Sequence, residues 1–588
     1  MIVVVSLVAL VLLGAGQTTV SERRPADVDD VRLEVDVGVA PEEALLSVPG
    51  VALTREGGPL APARPVVRGL SGSRLDVSVL GLPFSDPAAG AVDAGLLPWV
   101  LGNVDVDVGA GSGLGGSIAV QKPLPGVQAS VVAGELSTLL VQGRAVQPTP
   151  AGVVGVAGSL SSSRGDFFFR ADDALGTGAP LLRRFNNEQK RAGVAAFATT
   201  RIDDVTLRGA SVIALHEGGV PGFATAPFET LRGRSLLGAG GLGLQWRGPL
   251  TVDVAGAVQG SERATTAGSF SDDDASVLLG SRVSVRALVR SGFSLLGAHW
   301  SVDGVVDGVR SELPALAQRL ELGVGGAVRG RAPLGSLLVR VDLEGGLRAL
   351  DDVGVLPTGS LRLGLGGAGE RLWGFIGLTR AARAPTLDER FAPQGFVLGN
   401  PELKAESASE VEGGVVVALP ARVAVRAVAH ASVVDDAIVL VNRSAFAVVP
   451  ENTGPARRAG VDLGARLCPS DQVSFDVSAS MLASDVDATH APLPGAPPIL
   501  LRLRSRVGDD DLHFDLGTQS RGASASTLFG TLVSPGATLV DVGVRIPLAE
   551  KLGLGFSVHN ALDVLNARDT NLLPLPGRLF FISLEVKV

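Results

Sequence analysis

Tyrosine is absent from this 588-residue chain, and cysteine occurs once. The lone Cys468 has no internal partner, so no disulfide framework defines the fold. Six histidines are present (His216, His299, His430, His490, His513 and His559), and no two have a metal-ligand spacing such as HxxxH. No nucleophile and base stand at a usable spacing either. These absences point away from an enzyme and from a sequence-encoded metal centre. A basic excess is lacking too: 51 Lys and Arg face 60 Asp and Glu, a net charge of −9. That balance gives no field for nucleic acid. The most telling absence is a long apolar run. The chain is 46% hydrophobic, yet past its N-terminus nothing reaches the ~20 consecutive apolar residues that a membrane helix needs. Amphipathic helical spacing is also scarce, which argues against a soluble multidomain enzyme.

Alternation is what the chain has instead. Val283, Val285, Ala287 and Val289 share one face of an extended segment, and Arg286 and Arg290 fall on the other. Val339, Val341, Leu343 and Leu347 alternate with Arg340, Asp342, Glu344 and Arg348. Val473, Phe475, Val477, Ala479 and Met481 alternate with Ser474, Asp476, Ser478 and Ser480. Soluble sandwiches alternate as well, so the connections must decide. Read back from Val588, the last strand is 578–588. Long connections near 562–576, 521–536, 482–498, 441–457 and 384–406 then alternate with short ones at 547–551, 508–511, 468–471 and 419–421. Short turns at one rim and long loops at the other are the pattern of an outer-membrane barrel. The roughly 460 residues beyond 125 accommodate around twenty strands of ~10 residues with their loops. A barrel that wide leaves a lumen in need of a plug.

The N-terminal part differs. Met1–Gly16 reads as a signal-peptide apolar region, with Gly14, Ala15 and Gly16 as a small-residue cleavage site and no Lys or Arg before it. Residues 17–40 form a polar, acidic leader that ends in an alternating segment over Val31–Val37. Residues 41–125 form a separate unit of short elements, and 126–588 the barrel. Pro41–Leu46 opens like a helix, with Pro at its first turn and acids near its N-terminus. Pro49 and Gly50 stop it.

The 41–125 unit carries a run of motifs: Ser47–Val51 with Pro49 and Gly50, Val67–Leu70 with Arg68 and Gly69, Ser73 with Arg74, Val79–Pro83 with Gly81, and Asp86. Leu97 and Pro98, Val104–Val108, and Gly109–Gly116 with Gly113 and Gly116 follow. In this order they resemble the plug domain of TonB-dependent outer-membrane receptors. The barrel carries Leu378–Glu389, with Arg383, Pro385 and Glu389, then Gly399–Glu406, with Asn400, Pro401 and Glu406. These look like that family's mid-barrel signature. Gly218–Gly222, Arg184–Glu188, Asn452–Pro455 and Ala459–Val461 are also similar. Val558–Asp563, with Asn560 and Asp563, and Pro576–Phe581, with Gly577 and Arg578, match its closing hairpin. The resemblance implies an all-β transmembrane antiparallel barrel of about 22 strands with an N-terminal α+β plug in the lumen. It implies import of a scarce ligand, a small-molecule metal chelate such as a ferric siderophore, or cobalamin second. The inner-membrane proton gradient supplies the energy through TonB. TonB adds as a strand to a short segment near the receptor's N-terminus; here the candidate is Arg32, Leu33, Glu34, Val35, Asp36 and Val37. The plainer reading of that segment is the plug's first strand.

Other features weigh against bland alternatives. Gly109–Gly116 lacks the following helix that a phosphate loop needs, so tight plug turns are expected there. Arg68 and Arg74 sit where plug charges would meet barrel-wall acids. Asp272–Asp274 and Asp509–Asp511 lack a calcium-loop pattern and read as solvated turns. Some members of the family bind haem through a histidine between the two mid-barrel motifs, and 386–399 contain none. Val588 departs from the aromatic terminal residue common in the family. With no Tyr, the aromatic girdle typical of such barrels falls to 20 Phe and 4 Trp. The expected location is the bacterial outer membrane with both termini periplasmic, and the partners are TonB, a metal chelate and outer-membrane lipid. The alternatives are an outer-membrane channel or adhesion barrel not energised by TonB, and a secreted soluble β-protein.

Overall fold

The computed structural model describes residues 31–588 except 35–39, 56, 110–113, 124, 172–178, 224–225, 228, 249, 266–275, 296–297, 314–316, 368–370, 392–397, 420–421, 445–446 and 510. Two bodies are built one inside the other. The outer body is a closed barrel whose order runs strand by strand along the chain. Its first strand, Gly126–Gly134, pairs antiparallel with its last, Leu579–Lys587, through Phe581 opposite Gly134 and Lys587 opposite Gln128. Counted round, the barrel has 22 strands, as the resemblance implied. Closure leaves no unpaired edge, which is what a lipid environment demands of a sheet.

Period-two patterning sets the two faces. On the last strand Phe580, Ile582 and Leu584 are exposed on the outside, while Leu579, Phe581 and Glu585 are buried on the lumen side. The exposed Val283, Val285 and Val289, and Leu343 and Leu347, repeat this elsewhere. The connections sort into two rims. One rim holds short links such as 150–151, 203–204, 335–336, 471–472 and 550–551. The other holds 164–188, 384–405, 436–455, 522–536 and 560–578. Two links on that second rim, 135–137 and 351–353, are short as well. Two expected turn positions shift. The strand Ala456–Ser470 runs through Cys468 by an irregularity between Leu467 and Ser470, so the turn falls at 471–472. The strand Ala537–Ala549 likewise runs past Pro547 by a register shift. Bulges of this kind are common at barrel rims.

The inner body spans the described residues of 31–125. Its strands are β1 (Val31–Glu34), β2 (Val51–Arg55), β3 (Ala63–Val67), β4 (Leu70–Ser71), β5 (Asp76–Val79), β6 (Leu82–Pro83), β7 (Asn103–Asp107) and β8 (Ser117–Val120). They form a five-stranded sheet in the order β1-β7-β8-β5-β6 and a three-stranded sheet β2-β3-β4. The helical part of this domain, expected to be α, is 3-10 only among the described residues. It comprises Pro41–Ser47 and three single turns. Such short pieces suit a domain that fills a lumen of fixed bore. The plug core includes Leu45, Phe84, Trp99, Leu101 and Ile118. Trp99 is buried and donates from Nε1 to the Ala94 carbonyl at 2.7 Å. The same cluster continues into lumen-facing wall residues Ala195, Phe197, Val212, Ala214 and Leu237. One sector of the wall therefore holds the plug by apolar contact.

The alternating segment at the end of the leader forms a strand of the plug's sheet over Val31–Glu34. β1 pairs antiparallel with β7, Val31 opposite Val106 and Glu34 opposite Asn103, and Leu33 is buried. Residues 35–37 of the TonB-binding candidate lie outside the described residues.

Candidate functional site at the plug–wall seam

A two-residue hairpin creates the site. Arg68 and Gly69 link β3 to β4, flanked by the pair Val67 and Leu70. Both central residues have positive φ, 47° and 80°, the signature of a type I′ turn. Glycine meets that requirement freely, whereas an arginine there is strained, a condition that tends to mark functional positions. The turn drives the Arg68 guanidinium into the wall, where the side chain is 1% exposed. Its Nε donates to Asp462 Oδ2 at 2.9 Å, and its Nη1 donates to Glu410 Oε1 at 2.9 Å and Glu412 Oε2 at 3.3 Å.

Wall arginines complete the network. Arg458 donates to the Arg68 carbonyl at 2.9 Å and to Glu410 Oε2 at 2.8 Å. Arg362 pairs with Glu412. Arg68, Arg362 and Arg458 thus face Glu410, Glu412 and Asp462, and the charges balance. Burial alone would push the Arg68 guanidinium down, but Asp462, Glu410 and Glu412 outweigh it and hold the group above its ordinary range. Gly50 approaches the same place. Its N–H donates to Ser480 Oγ at 2.6 Å, and its carbonyl accepts from the Arg68 N–H at 2.8 Å. A Cβ on Gly50 would stand 3.1 Å from both Asp462 carboxylate oxygens. Pro49 packs beside Gly464.

A second network lies alongside. Arg74 donates to Glu406 Oε2 at 2.8 Å and to the Ile438 carbonyl at 2.6 Å. Arg383 donates to Glu406 Oε1 at 2.6 Å and to Glu389 Oε2 at 2.8 Å. Glu389 also closes a reciprocal cap on the short helix Leu387–Phe391: Thr386 N–H donates to Glu389 Oε2, and Glu389 N–H donates to Thr386 Oγ1. Burial raises the Glu389 carboxyl, but Arg383 and the Thr386 N–H outweigh it and hold the group below its ordinary range. The Pro385 carbonyl accepts from Arg319 at 2.7 Å. A third contact joins Asp86 to Arg263 at 2.9 Å, and Arg263 also reaches Asp388. The other oxygen of Asp86 accepts from the N–H groups of Ala88 and Ala89. Gly81 occupies the β5–β6 turn, and the Pro83 carbonyl accepts from Gln259 at 2.7 Å.

The structure therefore brings plug Arg68, Arg74 and Asp86 together with wall groups, Arg383, Glu389 and Glu406 among them. Gly116 turns the chain into β8, and Gly113 lies outside the described residues. Other motif residues stand apart at the long-loop rim. Asn400 Nδ2 donates to the Pro450 carbonyl, and the Pro401 carbonyl accepts from Arg390. Asn560 Nδ2 donates to the carbonyls of Val564 and Pro576, and Asp563 Oδ1 accepts from Arg578 N–H, with Gly577 packed against that carboxylate. Both sets order long connections rather than touch the plug. Asp509 Oδ1 accepts from the N–H groups of Asp511 and Leu512, a self-capped turn.

Sequence reasoning missed Glu410, Glu412, Asp462 and Arg458. One signal was present. Glu406, Glu410 and Glu412 share parity on one strand, opposite the exposed Val411 and Val415. Acids on the lumen face of a membrane strand call for cations.

Residues 337–561 match the family model described as "TonB dependent receptor-like, beta-barrel". Over those residues the barrel is similar to that of TonB-dependent receptors. Similar solved structures include the copper transporter OprC, at 16% identity over 96% of this chain and 98% of that one, with a TM-score of 0.75. A mutant of the ferric enterobactin receptor PfeA from Pseudomonas aeruginosa is similar at 15% identity, over 95% and 98%, with a TM-score of 0.74. The siderophore receptor PirA from Acinetobacter baumannii is similar at 13% identity, over 95% and 98%, with a TM-score of 0.74. Likeness at such identities establishes the fold alone. No curated protein matches the sequence.

Proposed function

We propose that this receptor imports a scarce ligand across the outer membrane, using energy delivered by TonB. The ligand class favoured is a ferric siderophore, with cobalamin second. The observation that carries the reading is the occluded lumen: a folded plug fills the barrel and is tied to its wall by buried ion pairs. A passive pore has no use for such a stopper, whereas a gated importer requires one. In this reading the long-loop rim faces outside and captures ligand, and both termini lie on the periplasmic side. Arg32–Val37 is the segment that TonB would take as an added strand. The chain acts as a transporter and not as an enzyme.

One observation favours the second reading, a barrel not energised by TonB. β1 is already paired with β7, so its backbone groups on that side are engaged. Deleting residues 31–37 separates the two. A TonB-driven importer loses uptake while retaining ligand binding; a passive barrel is unaffected. The uptake panel should contain ferric chelates, cobalamin and copper ion, each with and without the deletion. Unchanged uptake of every ligand in the deleted form would exclude the TonB-driven reading.

A further inference from the structure

Away from the Arg68 and Arg74 networks, three metal-capable side chains from three elements converge on the seam. Asp541 lies on the strand Ala537–Ala549, and His559 ends the strand Leu552–His559. These strands pair through Val542 and Val558, so Asp541 and His559 occupy the next cross-strand position. Val558 is opposite Phe580, which faces outward, and His559 is opposite buried Leu579. Both polar side chains therefore point into the lumen. There they meet Glu43, from the plug's 3-10 turn Pro41–Ser47. One ligand atom from each residue lies within 4.8 Å of the others.

We propose that Glu43, Asp541 and His559 form a site for a divalent transition-metal cation, of the zinc or copper(II) class, that staples the plug to the wall. The donor set is one imidazole nitrogen and two carboxylates. Imidazole selects such ions over magnesium and calcium, which take oxygen donors. The wall half of the site is held in place. Asp541 Oδ1 accepts from the Asn560 N–H at 2.9 Å. The His559 ring stands edge-on to Phe581, with centroids 5.3 Å apart. His559 Nδ1 already lies 3.9 Å from Asp541 Oδ1. Donors around a zinc ion at ~2.0–2.2 Å sit closer than that, so a modest contraction completes the site. All three side chains are partly open to solvent, which gives the ion a way in and leaves room for a water ligand.

The plug ligand is replaceable by design of its neighbours. Arg55 Nη2 now donates to Glu43 Oε1 at 3.1 Å. Arg55 Nη1 also pairs with Glu42 at 3.2 Å and donates to the Pro59 carbonyl. Glu43 can therefore turn to a cation without leaving Arg55 unpaired.

The test is zinc titration of the detergent-solubilised full chain by calorimetry, with magnesium as a control. Saturable binding of one zinc per chain is expected, unaffected by excess magnesium. His559→Ala and Glu43→Gln should each weaken it at least about tenfold. Zinc should also raise the unfolding temperature of the native chain, as a ligand of the folded state must, and not that of His559→Ala. Heat-modifiable gel migration checks that both variants are folded barrels. Absent saturable binding, or unchanged affinity in His559→Ala, overturns the site. Weakening by His559→Ala with no effect of Glu43→Gln overturns the staple, because the plug would then contribute no ligand. None of these readouts depends on which ligand the receptor imports.

Discussion

Arg68 shows how much one side chain can carry when it is fully enclosed. An exposed ion pair such as Arg422 with Asp471 at the short-turn rim is screened by water and contributes little. Removing one member of a buried set costs about 3–5 kcal/mol, because the remaining charges stay desolvated. Arg68→Ala would remove the cation that Glu410, Glu412 and Asp462 share. We expect raised single-channel conductance and earlier urea unfolding of the plug for Arg68→Ala, and no change for Arg422→Ala. Asp569 is a second such residue. It lies in the connection 560–578, buried, with its carboxylate accepting from the N–H groups of Asn571, Leu573 and, on the plug, Arg55. Burial pushes its pKa up to about 6, opposed by those N–H groups and by Arg521. A carboxyl raised in the folded state binds its proton more tightly there than in the unfolded chain. Its contribution is therefore complete below the ordinary carboxylate range and is lost as pH rises through about 6. Amide protection at Arg55 and 569–573, corrected for the intrinsic exchange rate at each pH, should be greater at pH 5 than at pH 8. Asp569→Asn should flatten that difference.

At the scale of the element, the lipid-facing strand is the unit that the sequence specifies best. On Leu579–Lys587 the exposed set Phe580, Ile582 and Leu584 forms the outward face of the barrel. A charge there costs about 2–4 kcal/mol near the bilayer midplane. Ile582→Arg should reduce the fraction of heat-modifiable barrel on a gel, whereas Lys587→Arg, at the strand end, should not. Such strands were legible because one face must be apolar at every second position. The turns between them were legible to within a few residues, and bulges at Leu467 and Pro547 account for the differences. What lay hidden were short hairpins inside the long connections, Phe167–Arg170 with Leu181–Arg184 and Ile438–Ser444 with Ala447–Asn452. Neither has the lipid-imposed pattern. The strand character of Val31–Glu34 was visible, but its pairing with β7 depends on a partner about seventy residues further along the chain. The same limit applies to the site. Arg68 and Arg74 stood out as plug cations, while their carboxylates lie more than three hundred residues later.

For the whole molecule, the plug is held by two unlike sectors of wall. Strands carrying Ala195, Phe197, Val212, Ala214 and Leu237 grip it by apolar contact, and strands carrying Glu406, Glu410, Glu412 and Asp462 grip it by charge. Cooling weakens apolar contact but not the ion pairs, and salt barely reaches buried charges. Plug release followed by conductance should therefore rise on cooling in Phe197→Ala relative to the native chain, and change little between 0.1 and 1 M salt in either. The chain's missing tyrosines bear on how such movement can be watched. Trp99 is buried in the plug, and the other three tryptophans, Trp246, Trp300 and Trp373, sit on barrel strands. Replacing those three by Phe would leave a single indole as the molecule's emitter, with no phenol to transfer light to it. The colour of that fluorescence would then report the wetting of the plug interior alone, turning a gap in the amino-acid composition into a built-in optical gauge.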